Sequence, residues 1–374
     1  MDGTKEIVNV TKSSLPPFET FAEKIKPLWE SCWLTNMGKY YKEFETELKE
    51  YMDVPYVSLM VNGHMALEMA IQAFKFPPNS EVITTPFTFI STTHAIVRNA
   101  LVPVFCDIKS SDYTIDEGKI EKLITDKTVA IMPVHVYGNI CDVETIDRIA
   151  RRYNLKVIYD ACHSFGESVD GIKVGNFGDA SVFSFHATKV FNTIEGGAVT
   201  FSNGEMYERL YNLKNFGIRN EERIVDIGAN AKMNEFSAAM GLCNLPFVAE
   251  NIRKRREKAA VYSKLLGNCR GIKQLPFRDR HIEYNYGYYP VLFQNKDKRN
   301  AVYEELKKEN INSRKYFYPL TCDVECYRDL YGNAHDIDIA RNTADNILVL
   351  PLYPDISEKN INKIVRIMRQ QLEE

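Results

Sequence analysis

The stretch VAIMPVHVYGNICDVETIDRIARRYNLKVIYD, residues 129–160, decides how the rest of the chain is read. Val129–Val136 is a short run of apolar and β-branched residues, as a buried strand requires. Val143–Tyr153 has helical spacing. Lys156–Tyr159 is apolar again and runs into the carboxylate of Asp160. Strand, helix and strand in so few residues form a crossover unit, which sets two strands parallel. The same alternation extends upstream. Tyr56–Val61, Glu81–Thr85 and Val102–Ile108 read as strands, and Met65–Phe74, Ile90–Ala100 and Asp116–Ile124 as helices. Downstream, Ala180–Phe185 and Gly197–Phe201 are two more apolar strands. Strands apolar on both faces belong to a sheet covered by helices on both sides.

Near residue 235 the pattern changes. Glu235–Gly267 reads as one long helical stretch interrupted at Pro246. Its Arg253-Lys-Arg-Arg256 run reads as a solvated helix face rather than an anion patch, because apolar and acidic residues flank it. Tyr286–Phe293, a helix Asn300–Asn310, the strand Ile347–Leu350 and a final helix suggest a smaller α/β unit. The final helix has Ser357 as N-cap and Ile361, Ile364, Val365 and Met368 on one face. The 374 residues suffice for two packed units and a large core. With 47 basic and 50 acidic residues the net charge is −3, which argues against a dedicated nucleic-acid binder. The opening MDGTKEIVNV lacks the basic and apolar regions of a leader. No apolar run of about 18 residues predicts a membrane span. The eight cysteines are scattered, as expected for reduced thiols in a cytoplasmic protein. Cys322 and Cys326 lack a second pair at zinc-site spacing, so no metal is expected.

Three segments carry candidate chemistry. Asp160 ends a strand, where ligands of open α/β sheets bind, although an aspartate there also commonly caps a helix. Lys189 follows the strand of Ala180-Ser-Val-Phe-Ser-Phe-His-Ala-Thr-Lys189 within a few residues. Partial desolvation is expected to lower its pKa and favour a nucleophilic amine. Pyridoxal phosphate needs a Schiff-base lysine and an acid that keeps its pyridine nitrogen protonated. Asn62-Gly63-His64 joins a strand to a helix start, where backbone N–H groups bind phosphate. Phe89, after Thr88 at a strand's carboxyl edge, suits stacking on a planar ring.

Further motifs follow in order. They are Leu34-Thr-Asn-Met-Gly38 with Phe44-Glu45, Gly63–Leu67, Glu81-Val-Ile83 and Pro133-Val-His-Val-Tyr-Gly138. Then come Asp160-Ala-Cys-His163, Phe183–Lys189, Glu195-Gly-Gly197 and Gly228-Ala-Asn-Ala-Lys-Met-Asn-Glu235. Over about residues 34–320 the chain resembles the DegT/DnrJ family of pyridoxal-phosphate-dependent nucleotide-sugar aminotransferases. The resemblance implies aminotransferase fold type I. A large domain, 1–245, would hold a mostly parallel seven-stranded sheet, and a smaller α/β domain would follow at 246–374. Lys189 would be the Schiff-base lysine and proton shuttle, and Asp160 would pair with the pyridine nitrogen. His163 would lie near the phenolic oxygen and Phe89 on the ring. Ser184, Gly63 and His64 would hold the phosphate. His186, Tyr316 and Tyr318 would face the nucleotide sugar. Asn230 and Lys232 would reach into a partner subunit's site, which implies a homodimer. Relatives usually carry Thr where this chain has His64, so one hydroxyl contact is missing.

The family also contains dehydratases with histidine in place of the lysine, so Lys189 implies transamination. The Phe185-His-Ala-Thr-Lys189 loop is similar to members acting at C4 of a keto sugar. The implied reaction moves an amino group from L-glutamate to C4 of a nucleotide-linked 4-keto-6-deoxyhexose, with dTDP-4-keto-6-deoxyglucose favoured. Such a product would serve a surface polysaccharide or a secondary metabolite. A C3-specific aminotransferase and a non-catalytic regulatory relative remain the alternatives.

Overall fold

The computed structural model describes residues 6–275, 281–332 and 334–373. The first five residues, at the head of the stretch read for a leader, lie outside them. Strands β1 (Tyr56–Met60), β2 (Glu81–Thr84), β3 (Val102–Phe105), β4 (Thr128–Met132) and β5 (Lys156–Asp160) follow in chain order. A short hairpin, β6 (Ser168–Val169) and β7 (Ile172–Lys173), precedes β8 (Ala180–Ser184) and β9 (Gly197–Phe201). The large sheet has seven strands in the order β1-β9-β8-β5-β4-β2-β3. Its β8-β5-β4-β2-β3 pairs are parallel, and β9 alone runs antiparallel to both neighbours.

Alternation along the strands explains why they read as apolar throughout. Phe183 and Ala198 enter one core, with Phe44, Phe165, Phe185 and Leu242. Val182 and Val199 enter the opposite one, with Leu67, Ile71, Ile96 and Leu210. Each face is covered by helices, and that burial is what leaves no polar face to the strands. Helices Gly63–Ala73, Ile90–Arg98 and Gly204–Lys214 cover the second face. Asn62 caps the first of these by accepting from Met65 N–H at 2.8 Å.

A second sheet is wholly antiparallel: β10 (Ile272–Gln274), β12 (Tyr289–Phe293) and β13 (Ile347–Leu350), with β12 central. Between β10 and β12 in the chain, β11 (Ile282–Glu283) pairs instead with β6. Helices Val248–Leu266, Lys296–Lys308 and Glu358–Glu373 cover this sheet. Ser357 Oγ accepts from Asn360 N–H at 3.1 Å, and Ile361, Ile364, Val365 and Met368 are buried. The N-terminal segment joins this half, since Val8 forms a parallel bridge with Ile311.

Several expectations need correcting. Asp116–Ile124 is only a short helix, Glu117–Ile120, continued by one 3₁₀ turn. Helices Phe18–Ile25, Lys39–Met52, Gly204–Lys214 and Asp338–Asn346 were not foreseen. The Arg253–Arg256 run is not a uniformly solvated face. Arg253 pairs with Glu250 and Glu257 in solvent. Arg255 is completely buried and donates to Leu352 O at 2.9 Å. It falls on the buried stripe Val248, Arg255, Ala259, Tyr262 and Leu266, where helical periodicity overrides its charge. Burial alone pushes its guanidinium down to about 10, the nearby Tyr288 hydroxyl opposing the shift. No helix among the described residues is long and apolar enough to cross a membrane.

Candidate active site

A cavity of about 490 Å³ opens at the carboxyl ends of β1, β2, β5 and β8. Lys189, Asp160, His163, Ser184, Gly63, His64, Phe89, His186 and Tyr316 all line it. These residues come from segments more than two hundred positions apart. The strands of the large sheet deliver all but Tyr316 to one edge, and Tyr316 reaches the cavity from beside the second sheet, where Arg314 bridges Val349.

Lys189 lies in the turn after β8 and is partly buried. Its Nζ donates to the Tyr288 hydroxyl at 3.3 Å. Burial works to lower the ammonium's pKa, as the sequence suggests. The Tyr288 hydroxyl, the Cys162 thiol and the Asp160 carboxylate outweigh it, and the net direction is upward. The expectation of a depressed lysine pKa is therefore corrected. It considered desolvation alone and had no means of placing Tyr288, 99 residues away, against the amine.

Asp160 ends β5 and is 5% exposed. One carboxylate oxygen accepts from Thr92 Oγ1 at 2.7 Å, the other from Cys162 N–H at 3.2 Å. Both bonds fix its orientation. The capping alternative is partly realised in the Cys162 contact, although no helix follows directly. His163, three residues on, accepts from Tyr137 N–H through Nδ1 at 3.1 Å. Burial, then Lys189 and His135, hold its pKa well below the usual histidine value. The ring is thus neutral with its hydrogen on Nε2.

Across the cavity, the helix Gly63–Ala73 begins against β8. A Cβ on Gly63 would come within 2.6 Å of Ser184 Cβ, so only glycine allows this approach. A Cβ on Gly197 would meet the Asn62 carbonyl at 2.7 Å. The first-turn N–H groups of Gly63 and His64 have no partner within the helix, and Gly63, His64 and Ser184 share the cavity wall. Phe89 is 54% exposed just before helix Ile90–Arg98, so it is not a core phenylalanine. His186 is exposed beside Glu195, their closest atoms 3.6 Å apart.

Three predicted residues lie elsewhere. Tyr318 is outside this cavity, its ring beneath the Lys296 ammonium and the Arg299 guanidinium. Its neighbour Phe317 points inward instead and stacks on His163. Asn230 and Lys232 do not line the cavity either; Lys232 Nζ donates to Asn215 Oδ1 at 2.8 Å. Sequence reasoning missed Tyr288, Thr92, Ser91 and Arg314, all of which touch or support the site. Only Arg314 had a signal, two residues before the expected Tyr316.

These residues fit pyridoxal phosphate: a buried carboxyl group fixed by two hydrogen bonds, an amine lining the same cavity, and a glycine-opened helix start for an anion. Comparisons agree with that fit. Residues 18–369 match the profile of the DegT/DnrJ/EryC1/StrS aminotransferase family. The dTDP-4-amino-4,6-dideoxy-D-glucose transaminase of Shigella dysenteriae is 41% identical over 96% of this chain and 98% of its own. GDP-perosamine synthase of Escherichia coli O157:H7 is 31% identical over 91% of this chain and 92% of its own. The crystal structure of DesI in the presence of its TDP-sugar product superposes with a TM-score of 0.91. It has 30% identity and covers 98% of this chain and 93% of that one.

Proposed function

The chain belongs to the DegT/DnrJ/EryC1/StrS aminotransferase family, and from that premise we propose that it aminates C4 of dTDP-4-keto-6-deoxyglucose with L-glutamate as donor. The observation that carries the chemistry is the convergence of Lys189 and Asp160 on one cavity with the Gly63 helix start. The substrate rests on the 41% identity to a transaminase of that name. The same reading makes the enzyme a cytoplasmic homodimer, with a cofactor-binding unit within 1–245, whose N-terminal segment packs on the smaller unit at 246–374. Its product would enter amino-sugar biosynthesis, such as that of O-antigen.

Pyridoxal 5'-phosphate, when bound, supplies the electron sink for charge developing on the donor's α-carbon. Asp160, fixed by Thr92 and Cys162 N–H, would pair with the pyridine nitrogen. His163, its ring locked by Tyr137 N–H, would offer Nε2–H to the phenolic oxygen. The Gly63 and His64 N–H groups and Ser184 would hold the phosphate, and Phe89 would cover the ring. Lys189 Nζ takes the proton from the α-carbon of L-glutamate and later delivers one to C4 of the sugar. His186 and Tyr316 face the sugar, and Tyr318, beyond the cavity wall, is given no contact with it.

The experiment is incubation of the enzyme with L-glutamate and each keto sugar, dTDP-, UDP- or GDP-linked, with NMR of the product. Amination at C4 of the dTDP sugar is expected; an amine at C3, or none, overturns the assignment. Lys189→Ala should abolish both the visible cofactor band and turnover. Wild-type turnover in that variant would sink the role given to the lysine.

A further inference from the structure

His64 stands in the first turn of the Gly63–Ala73 helix, yet its ring offers no free nitrogen to the cavity. Nδ1 lies 2.8 Å from Ser91 Oγ. Nε2 lies 2.8 Å from Glu68 Oε1, one turn along the same helix. Glu68 is 7% exposed and also accepts from Arg98 Nε. Ser91 is the second residue of the neighbouring helix, Ile90–Arg98, and lines the cavity that holds Lys189. A line of contacts therefore runs from a buried carboxylate, through an imidazole, to a hydroxyl at the cavity wall.

The hydrogens on this line have two arrangements. With a neutral ring, Nε2–H donates to Glu68, so Nδ1 must accept from Ser91 O–H. The serine hydrogen is then held by the ring. With a protonated ring both nitrogens donate. Ser91 Oγ accepts from Nδ1–H, and its own hydrogen turns to the cavity. A cation at a helix N-terminus is unfavourable unless an anion is close. Glu68 is one such anion, and a phosphate bound at the helix start is a second.

The other groups facing His64 come from the helix Ile90–Arg98. Arg98 is largely in solvent and matched by Glu68. The His94 ring sits edge-on to His64 with centroids 6.5 Å apart, its Nδ1 2.6 Å from the Tyr327 hydroxyl. Burial, then His64 and Arg98, push His94 toward its neutral form. The carboxylate of Glu68 is thus the charged group in direct contact with the His64 ring.

We infer that Ser91, oriented by His64 and Glu68, donates a hydrogen bond to the cofactor's phosphate, and that protonation of His64 releases the serine hydrogen for it. The inference rests on pyridoxal phosphate being the cofactor. His64 is a positioning residue and Ser91 makes the contact. A hydroxyl from the second helix thereby replaces the threonine hydroxyl missing at position 64.

The test is equilibrium binding to the apo protein of pyridoxal 5'-phosphate and, in parallel, of pyridoxal, which has no phosphate. Wild type, Ser91→Ala, His64→Gln and Glu68→Gln are titrated by absorbance from about pH 6 to 9, a range that spans histidine ionisation. Ser91→Ala and His64→Gln should each weaken pyridoxal phosphate about tenfold at the acid end, the worth of one charge-assisted hydrogen bond. Pyridoxal binding should hold. The wild-type advantage over His64→Gln should shrink as pH rises. The comparison within one pH removes the phosphate's own ionisation. Unchanged affinity in Ser91→Ala, or an equal loss for pyridoxal, would overturn the inference, as would a pH-independent His64→Gln effect. A wild type that binds no pyridoxal phosphate at any pH overturns the cofactor reading itself, and the relay with it.

Discussion

At the scale of single residues, the Lys189 amine is governed by a partner that sequence spacing did not reveal. Desolvation alone would lower the Lys189 pKa, yet Tyr288, Cys162 and Asp160 carry it upward. Tyr288→Phe removes the hydroxyl that accepts from Nζ at 3.3 Å. The lysine pKa should then fall, leaving more neutral amine at a given pH. Capture of pyridoxal phosphate by the apo variant, followed by stopped-flow absorbance, should reach its half-maximal rate at lower pH than in wild type. An unshifted profile would remove Tyr288 as the cause. Asp160 and Lys189 were legible because each follows a recognisable strand. Thr92, which orients Asp160, was not, because a threonine inside a helix has no signature until the fold sets it against a strand end.

At the scale of elements, periodicity proved a better guide than charge. The strands of the large sheet were readable from apolar runs, but the runs Val102–Ile108 and Val129–Val136 overshoot β3 and β4, which end at Phe105 and Met132. Charged residues on buried helix faces were not readable. Arg255 is one case and Lys214 is another. Lys214 ends helix Gly204–Lys214, and its Nζ donates to Tyr41 Oη at 2.5 Å and Ser58 Oγ at 2.8 Å. It ties that helix to helix Lys39–Met52 and to β1. Burial pushes its ammonium down to about 8 from 10.5, with Glu45 opposing. The unfolded chain therefore keeps a proton that the folded chain loses between about pH 8 and 10.5. Stability from this group rises with pH across that window, and the cost of the buried cation is fully present below it. Lys214→Met removes the cation. Urea unfolding should show the variant gaining most on wild type below about pH 8, the gain fading toward 10.5. A stability difference constant with pH would show that Lys214 does not titrate as a buried amine.

At the scale of the whole molecule, the cavity takes nothing from Asn230 or Lys232 of its own chain. Their segment is flanked by Ile224 and Ile227, which are 70% and 88% exposed. Exposed apolar residues beside a polar pair suit a surface that meets a second copy. If those two residues complete the partner's site, Lys189→Ala and a variant inactivated at Lys232 should complement each other. Random mixing puts half of the dimers in mixed form, each with one intact site. Activity should thus recover to about one quarter of wild type, as expected for isologous pairs. No recovery after co-refolding, with dimers demonstrated by light scattering, would confine the site to one chain. The sequence by itself determined the α/β class, the family, and the placement of Asp160 at a strand end and Lys189 in the turn after another, because local periodicity and ordered motifs need no long-range information. Only the tertiary structure decided that Tyr288 raises the lysine's pKa, that Tyr318 faces away and that Glu68 and Ser91 flank His64. These depend on which distant side chains share a cavity wall, and packing, not chain order, sets that.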